Sequence, residues 1–248
     1  MNANYIDYTS EEMMTIAAAR KFRDGATCFV GVGRPSVGAC LARRLHAPNM
    51  TLVYESGAIG PKPTAPPLSI ADPELAETAD FIVSVPEMFS YWLQAGRVEM
   101  GFLGAAQIDR FGNLNTTVIG DYKSPKVRLP GAGGAPEIAA NVREIVVILP
   151  HSRQAFVSRV DFLTTARSNG AITVVTDLGI LENQSNTGEL ILTSRHPGVT
   201  VDQIRELTGW PLTIAGNLIE TPPPAERELL ALRELLNTNQ IKAQQGAA

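Results

Sequence analysis

The sequence predicts an α/β fold, an open and mostly parallel sheet with helices on its faces. Continuous apolar runs such as REIVVILP (143–150) and AITVVTD (171–177) suit strands buried on both sides. Runs of this kind alternate along the chain with helical patterns. ATCFVGVG (26–33), SVGACLARRL (36–45) and TLVYE (51–55) form one complete unit of strand, glycine turn, helix and strand.

Taken in order, the first element is a helix. Thr9 and Glu12 have capping-box spacing, Met13, Ile16, Ala17 and Phe22 form its apolar stripe, and Gly25 supplies a stop. After the first unit, DFIVSV (80–85) reads as a strand, PEMFSYWLQAG (86–96) as a helix opened by Pro86, and VEMGFLG (98–104) as a strand. GELILTSRHPG (188–198) pairs with the preceding GILE as an antiparallel edge hairpin. VDQIRELTG (201–209) and ERELLALRELLN (226–237) are helices, and the tail beyond about residue 238 frays. PKPTAPPLSIADPELAET (61–78) is a long Pro-rich loop, and 105–137 is dense in Gly, Asn and Pro with little periodicity. With no internal repeat or linker, residues 1–248 are expected to form a single domain.

The net charge of −4 offers none of the basic surface that nucleic acids require. No run reaches the ~18 apolar residues of a membrane span. MNANYIDYTSEEMM lacks the basic region and apolar stretch of a signal peptide, so a cytoplasmic location is expected. Cys28 and Cys40 have no CxxC or Cys/His ligand spacing and read as buried free thiols. His46, His151 and His196 stand alone, without metal-ligand spacing, and there is no GxSxG elbow. No metal is expected.

Three motifs carry the chemistry. GVGRPSVG (31–38) follows a strand and opens a helix, as a dinucleotide turn would. Its third glycine, Gly38, falls two positions late, and Pro35 lies inside the turn. A turn whose backbone lets a ligand come close, at Gly31 and Gly33, is the better reading. GAGGA (131–135) precedes Pro136 at a helix start, and consecutive glycines there either aim N–H groups at one anion or form a surface loop. DRFGNLN (109–115) is a turn in which Asn113 and Asn115 cap backbone or meet a ligand. Glu55 then ends the strand TLVYE before Ser56 and Gly57. A strand-end acid is solvated, binds a ribose about 20 residues after a glycine turn, or acts as a nucleophile. Ligands of open α/β sheets bind at the carboxyl ends of the strands, where Glu55 and the glycine turns would meet.

Several stretches together resemble one family: GVGRPSVGA with VYESGAIG, LGAAQIDRFGNLNTTVIGDYKSPKVRLPGAGGAPEIA, and TSRHPGVTVDQIRELTGW. They look like the β subunit of class I CoA-transferases, in the glutaconate CoA-transferase-like branch that includes the 3-oxoadipate CoA-transferases. The likeness runs from about Tyr8 to about Leu235. It implies an open α/β sheet shared with ribose-5-phosphate isomerase-like proteins, and Glu55 as a nucleophile that forms a glutamyl-CoA thioester. It implies Gly134 and Ala135 as oxyanion donors, with Gly31, Gly33, Ser56, Gly57, Asn113, Asn115, Gly131 and Gly133 around substrate and CoA. It further implies an acyl-CoA donor such as succinyl-CoA, an acceptor such as 3-oxoadipate, CoA as a substrate with no bound cofactor, and a homologous α subunit that completes the site. A glutaconate-type transferase, a CoA-ester hydrolase on the same scaffold and a purely structural subunit are the alternatives. One departure is the short TTARSNG before AITVVTD, where family members carry a Gly-rich insertion.

Overall fold

A computed structural model describes residues 7–167, 170–184 and 186–246. The first helix, α1 (Ser10–Ala19), begins with the expected capping box, in which Thr9 and Glu12 exchange hydrogen bonds. β1 (Thr27–Val30) leads into α2 (Arg34–Leu45), and β2 (Thr51–Val53) follows. Here the chain departs from expectation. The strand ends at Val53, and the chain turns back on itself to form β3 (Ala58–Ile59), antiparallel to β2. After α3 (Pro73–Glu77), which lies within the Pro-rich loop, β4 (Phe81–Ile82) pairs antiparallel with β3. The expected strand over 80–85 is cut short because Ser84 caps a new helix through a capping box with Glu87. That helix, α4 (Val85–Glu87), continues as a π-helical turn over Met88–Leu93.

β5 (Met100–Gly104) is followed by two small antiparallel pairs within the segment of low periodicity. These are β6 (Gln107–Ile108) with β7 (Leu114–Asn115), and β8 (Val118–Gly120) with β9 (Pro125–Arg128). Then come α5 (Ala135–Asn141), β10 (Glu144–Ile148), β11 (Ala171–Val175), β12 (Gly179–Asn183), β13 (Leu190–Arg195), α6 (Val201–Glu206), β14 (Ile214–Glu220) and α7 (Glu226–Gly246). The short segment before β11 includes Ser168 and Asn169, which lie outside the described residues.

The main sheet has the order β14-β13-β12-β11-β10-β5-β1-β2-β3-β4. Its five central strands, β11 to β2, run parallel, and antiparallel strands flank them. The central strands are largely apolar because both faces are covered. Cys28, Val30, Leu52, Phe102 and Val146 pack under α1, α2 and α7, while Phe29, Val53, Leu103, Ile145 and Val147 pack under α5 and the π-helical turn. β12 and β13 form the expected antiparallel hairpin, but β14 lies outside them, so the hairpin is not the edge. The C-terminal backbone is helical to Gly246, not frayed from 238. Leu229, Leu232 and Leu235 anchor α7 in the core, and the following Asn, Gln, Lys and Ala residues permit continued helix. No helix among the described residues is long and apolar enough to cross a membrane.

Candidate active site

The carboxyl ends of β1, β2 and β5 converge on a cavity of about 440 Å³. Gly31 and Val32 line it from β1, Glu55 from the turn after β2, and Gly104 to Ala106 from β5. The Gly-rich loop 131–134 and Ala135 at the start of α5 form the facing wall, with Ile70 from the Pro-rich loop. A second cavity of about 370 Å³, lined by Phe89, Pro136 and Glu137, shares Glu55, Gly133 and Gly134 with the first. The carboxylate and the two glycines are therefore a partition with space on both sides.

A hairpin turn places Glu55 there. Gly57 N–H donates to Tyr54 O at 2.9 Å and Tyr54 N–H to Ala58 O at 3.1 Å, which closes the turn around Glu55 and Ser56. The turn requires glycine at its last position: Gly57 has φ +94°, and a side chain there would collide with the Val83 carbonyl oxygen. The Glu55 side chain is half-buried and has no hydrogen-bond or ion-pair partner among the described residues. Its oxygens face the glycines instead. A Cβ built on Gly133 would stand 3.4 Å from Glu55 Oε2, and one on Gly134 would stand 3.4 Å from Glu55 Cδ. Glycine is needed at both positions for other reasons: Gly133 has φ +48°, and a Cβ on Gly134 would stand 2.7 Å from Phe89 Cζ.

The loop is fastened from below. Thr116 Oγ1 donates to Gly131 O at 2.7 Å, Gly131 N–H donates to Thr116 O at 2.9 Å, and Leu129 N–H donates to Thr117 O at 3.0 Å. Of the two expected oxyanion donors, the Ala135 N–H is already spent on Ala132 O at 3.1 Å. The N–H groups of Gly133 and Gly134 make no hydrogen bond with described residues, so the pair of open donors is shifted one residue back along the chain. The Tyr54 and Ser36 hydroxyls lie 3.3 Å apart, and Ser36 Oγ donates to Gly31 O at 2.9 Å. This chain ties the β1–α2 turn to the strand that carries Glu55, and burial pushes the Tyr54 phenol well above its ordinary value.

The remaining expected positions lie elsewhere. Gly31 spends its N–H on Phe102 O at 2.9 Å and contributes only wall. Gly33, φ +88°, caps α2 and does not line the cavity. Ser56 faces a separate small cavity with Asp72 and Leu75. The structure does not bring Asn113 or Asn115 to Glu55. Asn113 is braced by Asp109 and accepts from Arg167 N–H at 2.9 Å. Asn115 is fully buried and bonded to Gln107 Oε1 and Val118 O, both at 2.7 Å, so turn chemistry accounts for both asparagines.

Sequence reasoning missed Phe89, Ile70 and Thr116. Only Gly104, at the carboxyl end of a predicted parallel strand, carried a usable signal for the rest of the wall. Neither cysteine nor histidine competes with Glu55 as a nucleophile. Burial pushes the Cys28 thiol up to about 12, and His46, His151 and His196 are bonded to Phe22 O, Thr208 Oγ1 and Thr221 Oγ1 respectively. Among the described residues no three His, Cys, Asp or Glu side chains converge as a metal site would require.

The sequence pattern of the family described as coenzyme A transferase matches residues 11–207. The chain is 52% identical over 254 aligned residues to the B-type subunit of 3-oxoadipate CoA-transferase from Pseudomonas knackmussii, covering 96% of this chain and 98% of that one. The crystal structure of glutaconate coenzyme A-transferase from Acidaminococcus fermentans superposes with a TM-score of 0.84 at 28% identity, covering 93% of this chain and 95% of that chain. The decarboxylase AibA/AibB superposes with a TM-score of 0.82 at 29% identity, covering 92% and 94%. The chain belongs to the coenzyme A transferase family, as a β subunit of its class I branch.

Proposed function

We propose that this chain carries the nucleophile of a CoA-transferase that moves CoA from an acyl-CoA such as succinyl-CoA to a 3-oxo dicarboxylic acid such as 3-oxoadipate. The observation that carries the proposal is the Glu55 carboxylate, unpaired among the described residues and held at a hairpin corner beside Gly133 and Gly134, whose N–H groups make no hydrogen bond with described residues. A carboxylate nucleophile must be free of ion pairs to attack, and it needs nearby donors for the oxyanion that forms.

The steps follow from that arrangement. One Glu55 oxygen attacks the thioester carbonyl of the acyl-CoA, and the Gly133 and Gly134 N–H groups meet the tetrahedral oxyanion. Collapse expels the CoA thiolate and leaves a mixed anhydride of Glu55 with the acyl group. The thiolate then attacks Glu55 Cδ and releases the donor acid, leaving a glutamyl-CoA thioester. The acceptor carboxylate attacks the same Cδ, expels the thiolate and forms a second anhydride. Attack of the thiolate on the acceptor acyl carbon frees Glu55. Each step exchanges one bond at an acyl carbon, so no redox chemistry enters.

The cavity also bears on the partner. Glu55 is its one charged side chain and Thr116 its one polar neutral side chain. A dicarboxylic acceptor needs a counter-charge for its distal carboxylate, and the described residues supply none there. Leu68, Ile70, Phe81, Ile82, Val85 and Tyr91 are large apolar residues left exposed on the Pro-rich loop, the short edge strand β4, and α4 with its π-helical turn. Both features fit a homologous α subunit that covers this side and supplies the cation. The similar proteins carry the names of two-part assemblies, one as a B-type subunit and one as AibA/AibB.

The test uses the two-subunit complex incubated with acyl-CoA and no acceptor. Mass spectrometry is expected to find CoA in thioester linkage on the peptide containing Glu55, and Glu55→Gln and Glu55→Ala are expected to assemble yet lose transfer. An adduct on Glu74, Glu77 or Glu87, or full turnover by Glu55→Ala, would overturn the mechanism. The structure disfavours two of these alternatives, since Glu74 is bonded to Thr64 and Glu87 is held in its capping box.

A further inference from the structure

A CoA thioester carries its reacting carbon at one end of a long neutral arm and its phosphates at the other. The Glu55 cavity suits the arm, since Ile70, Leu103, Leu129, Pro130 and Ile138 line it and no Lys, Arg or His does. The phosphates need cations beyond that wall. Leu129 and Pro130 follow directly on Arg128, the last residue of β9.

The β8–β9 hairpin concentrates positive charge on a chain whose net charge is −4. Lys123, Lys126 and Arg128 are all exposed, and none of them forms an ion pair among the described residues. Lys126 and Arg128 are two residues apart on a strand and so share a face. Two carboxylates belong to this region, and both are occupied. Asp121 accepts the backbone N–H groups of Lys123 and Ser124 at 2.8 and 3.1 Å, and Asp161 accepts that of Gly120 at 2.8 Å. Arg128 lies 4.9 Å over the Tyr122 ring and donates to Tyr122 O at 3.2 Å, which keeps its guanidinium on the hairpin.

The hairpin is also fixed relative to the nucleophile. Val118 pairs with Arg128, and Thr116 and Thr117 clamp the loop that continues to Gly133. From Gly133 back to Arg128 the chain reaches at most about 18 Å, the scale of an extended pantetheine arm.

We propose that Lys123, Lys126 and Arg128 bind the phosphate-bearing end of the CoA thioester whose acyl end meets Glu55. The proposal rests on the transferase function above. The lysines supply point charges, and the arginine supplies a fork suited to phosphate oxygens.

The test compares succinyl-CoA with succinyl-pantetheine, which lacks the phosphorylated nucleotide, as donors for the two-subunit enzyme. Wild type is expected to prefer the CoA thioester. In Lys126→Ala that preference should narrow about tenfold, the loss expected for one charge-assisted contact, and it should narrow further in Lys126→Glu and in the double variant Lys126→Ala with Arg128→Ala. The loss should lie in KM, with the Glu55 adduct still forming at saturating succinyl-CoA. Raising salt should weaken wild-type use of succinyl-CoA more than that of the variants. An unmoved preference, or an equal fall with both thioesters, would overturn the hairpin assignment while leaving Glu55 in place. Absence of the adduct from wild type would overturn the transfer mechanism, and this assignment with it.

Discussion

Replacing Gly134 by alanine adds one carbon at the tightest contact of the site. Its Cβ would stand 2.7 Å from Phe89 Cζ, 3.1 Å from Phe89 Cε1 and 3.4 Å from Glu55 Cδ. Non-bonded carbons rest at about 3.5–4.0 Å, so the ring must retreat by roughly 1 Å. Gly134 itself has φ −83°, a value alanine accepts, so the effect is packing alone. Phe89 is half-buried, with Phe29 at 6.3 Å between ring centroids and the second cavity beside it, so the ring can yield only by moving into that cavity and away from its place against Gly134. Overpacking of this kind costs about 1–3 kcal/mol of stability. A shift of ~1 Å between a reacting group and its donors costs about 10²-fold in rate. In the two-subunit complex, Gly134→Ala should therefore assemble, unfold in urea with a stability loss in that range, and form the Glu55 adduct about 100-fold more slowly. Gly216→Ala, whose new methyl would meet nothing within 4 Å, should change neither quantity. Phe89→Leu in the Gly134→Ala background should recover part of the rate by returning space. Wild-type adduct formation by Gly134→Ala would refute the placement of this glycine against the nucleophile.

Two further outcomes follow from the structure. Gly57→Ala forces alanine into φ +94° and against the Val83 carbonyl, and it breaks the turn bonds to Tyr54 and from Val83. The left-handed backbone and the lost bonds together should cost about 3 kcal/mol in chemical denaturation, and a loss below ~1 kcal/mol would show that the turn tolerates a side chain. Burial lowers His151 to about 3 and lowers His196 as well, so below the ordinary value of 6.5 the unfolded chain takes up protons that the fold refuses. The His151 contribution is complete above pH 6.5 and is lost as pH falls from there toward 3, at up to ~1.4 kcal/mol per pH unit, and His196 acts in the same direction. Unfolding free energies between pH 6.5 and 5 should fall less steeply for His151→Gln than for wild type, and equal slopes would show that His151 is not the group responsible.

Elements with strong local signals were legible in the sequence. The capping box of Thr9 and Glu12 and the largely apolar strands over 144–148 and 171–175 stand where the pattern puts them, since burial on both faces gives each strand a continuous apolar run. The site was legible to the extent that its residues end parallel strands. Glu55 and Gly31 follow parallel strands and line one cavity for that reason, and the glycines of 131–134 join them from the loop that opens α5. What was not legible depends on distant contacts. β3 and β4 pair over two residues each, too short for a periodic signal. β14 has the half-exposed sequence IAGNLIE and takes its strand form from β13. Asn115 has the composition of a ligand-binding turn, yet Gln107 and Val118 consume its side chain. Whether Gly133 or Ala135 keeps an open N–H depends on a single turn bond to Ala132, which spacing does not reveal.

The hairpin corner at Tyr54–Gly57 has a consequence for how a covalent intermediate travels. Backbone bonds on both sides of Glu55 hold its Cα still, so any motion of a group attached to the carboxylate comes from the side-chain torsions alone. A glutamyl thioester made there is a load on a short swinging arm whose pivot is fixed and whose stroke passes between two cavities. Both half-reactions then use the same pivot. With space on both sides of that pivot, the departing acid and the arriving one need not share a single seat.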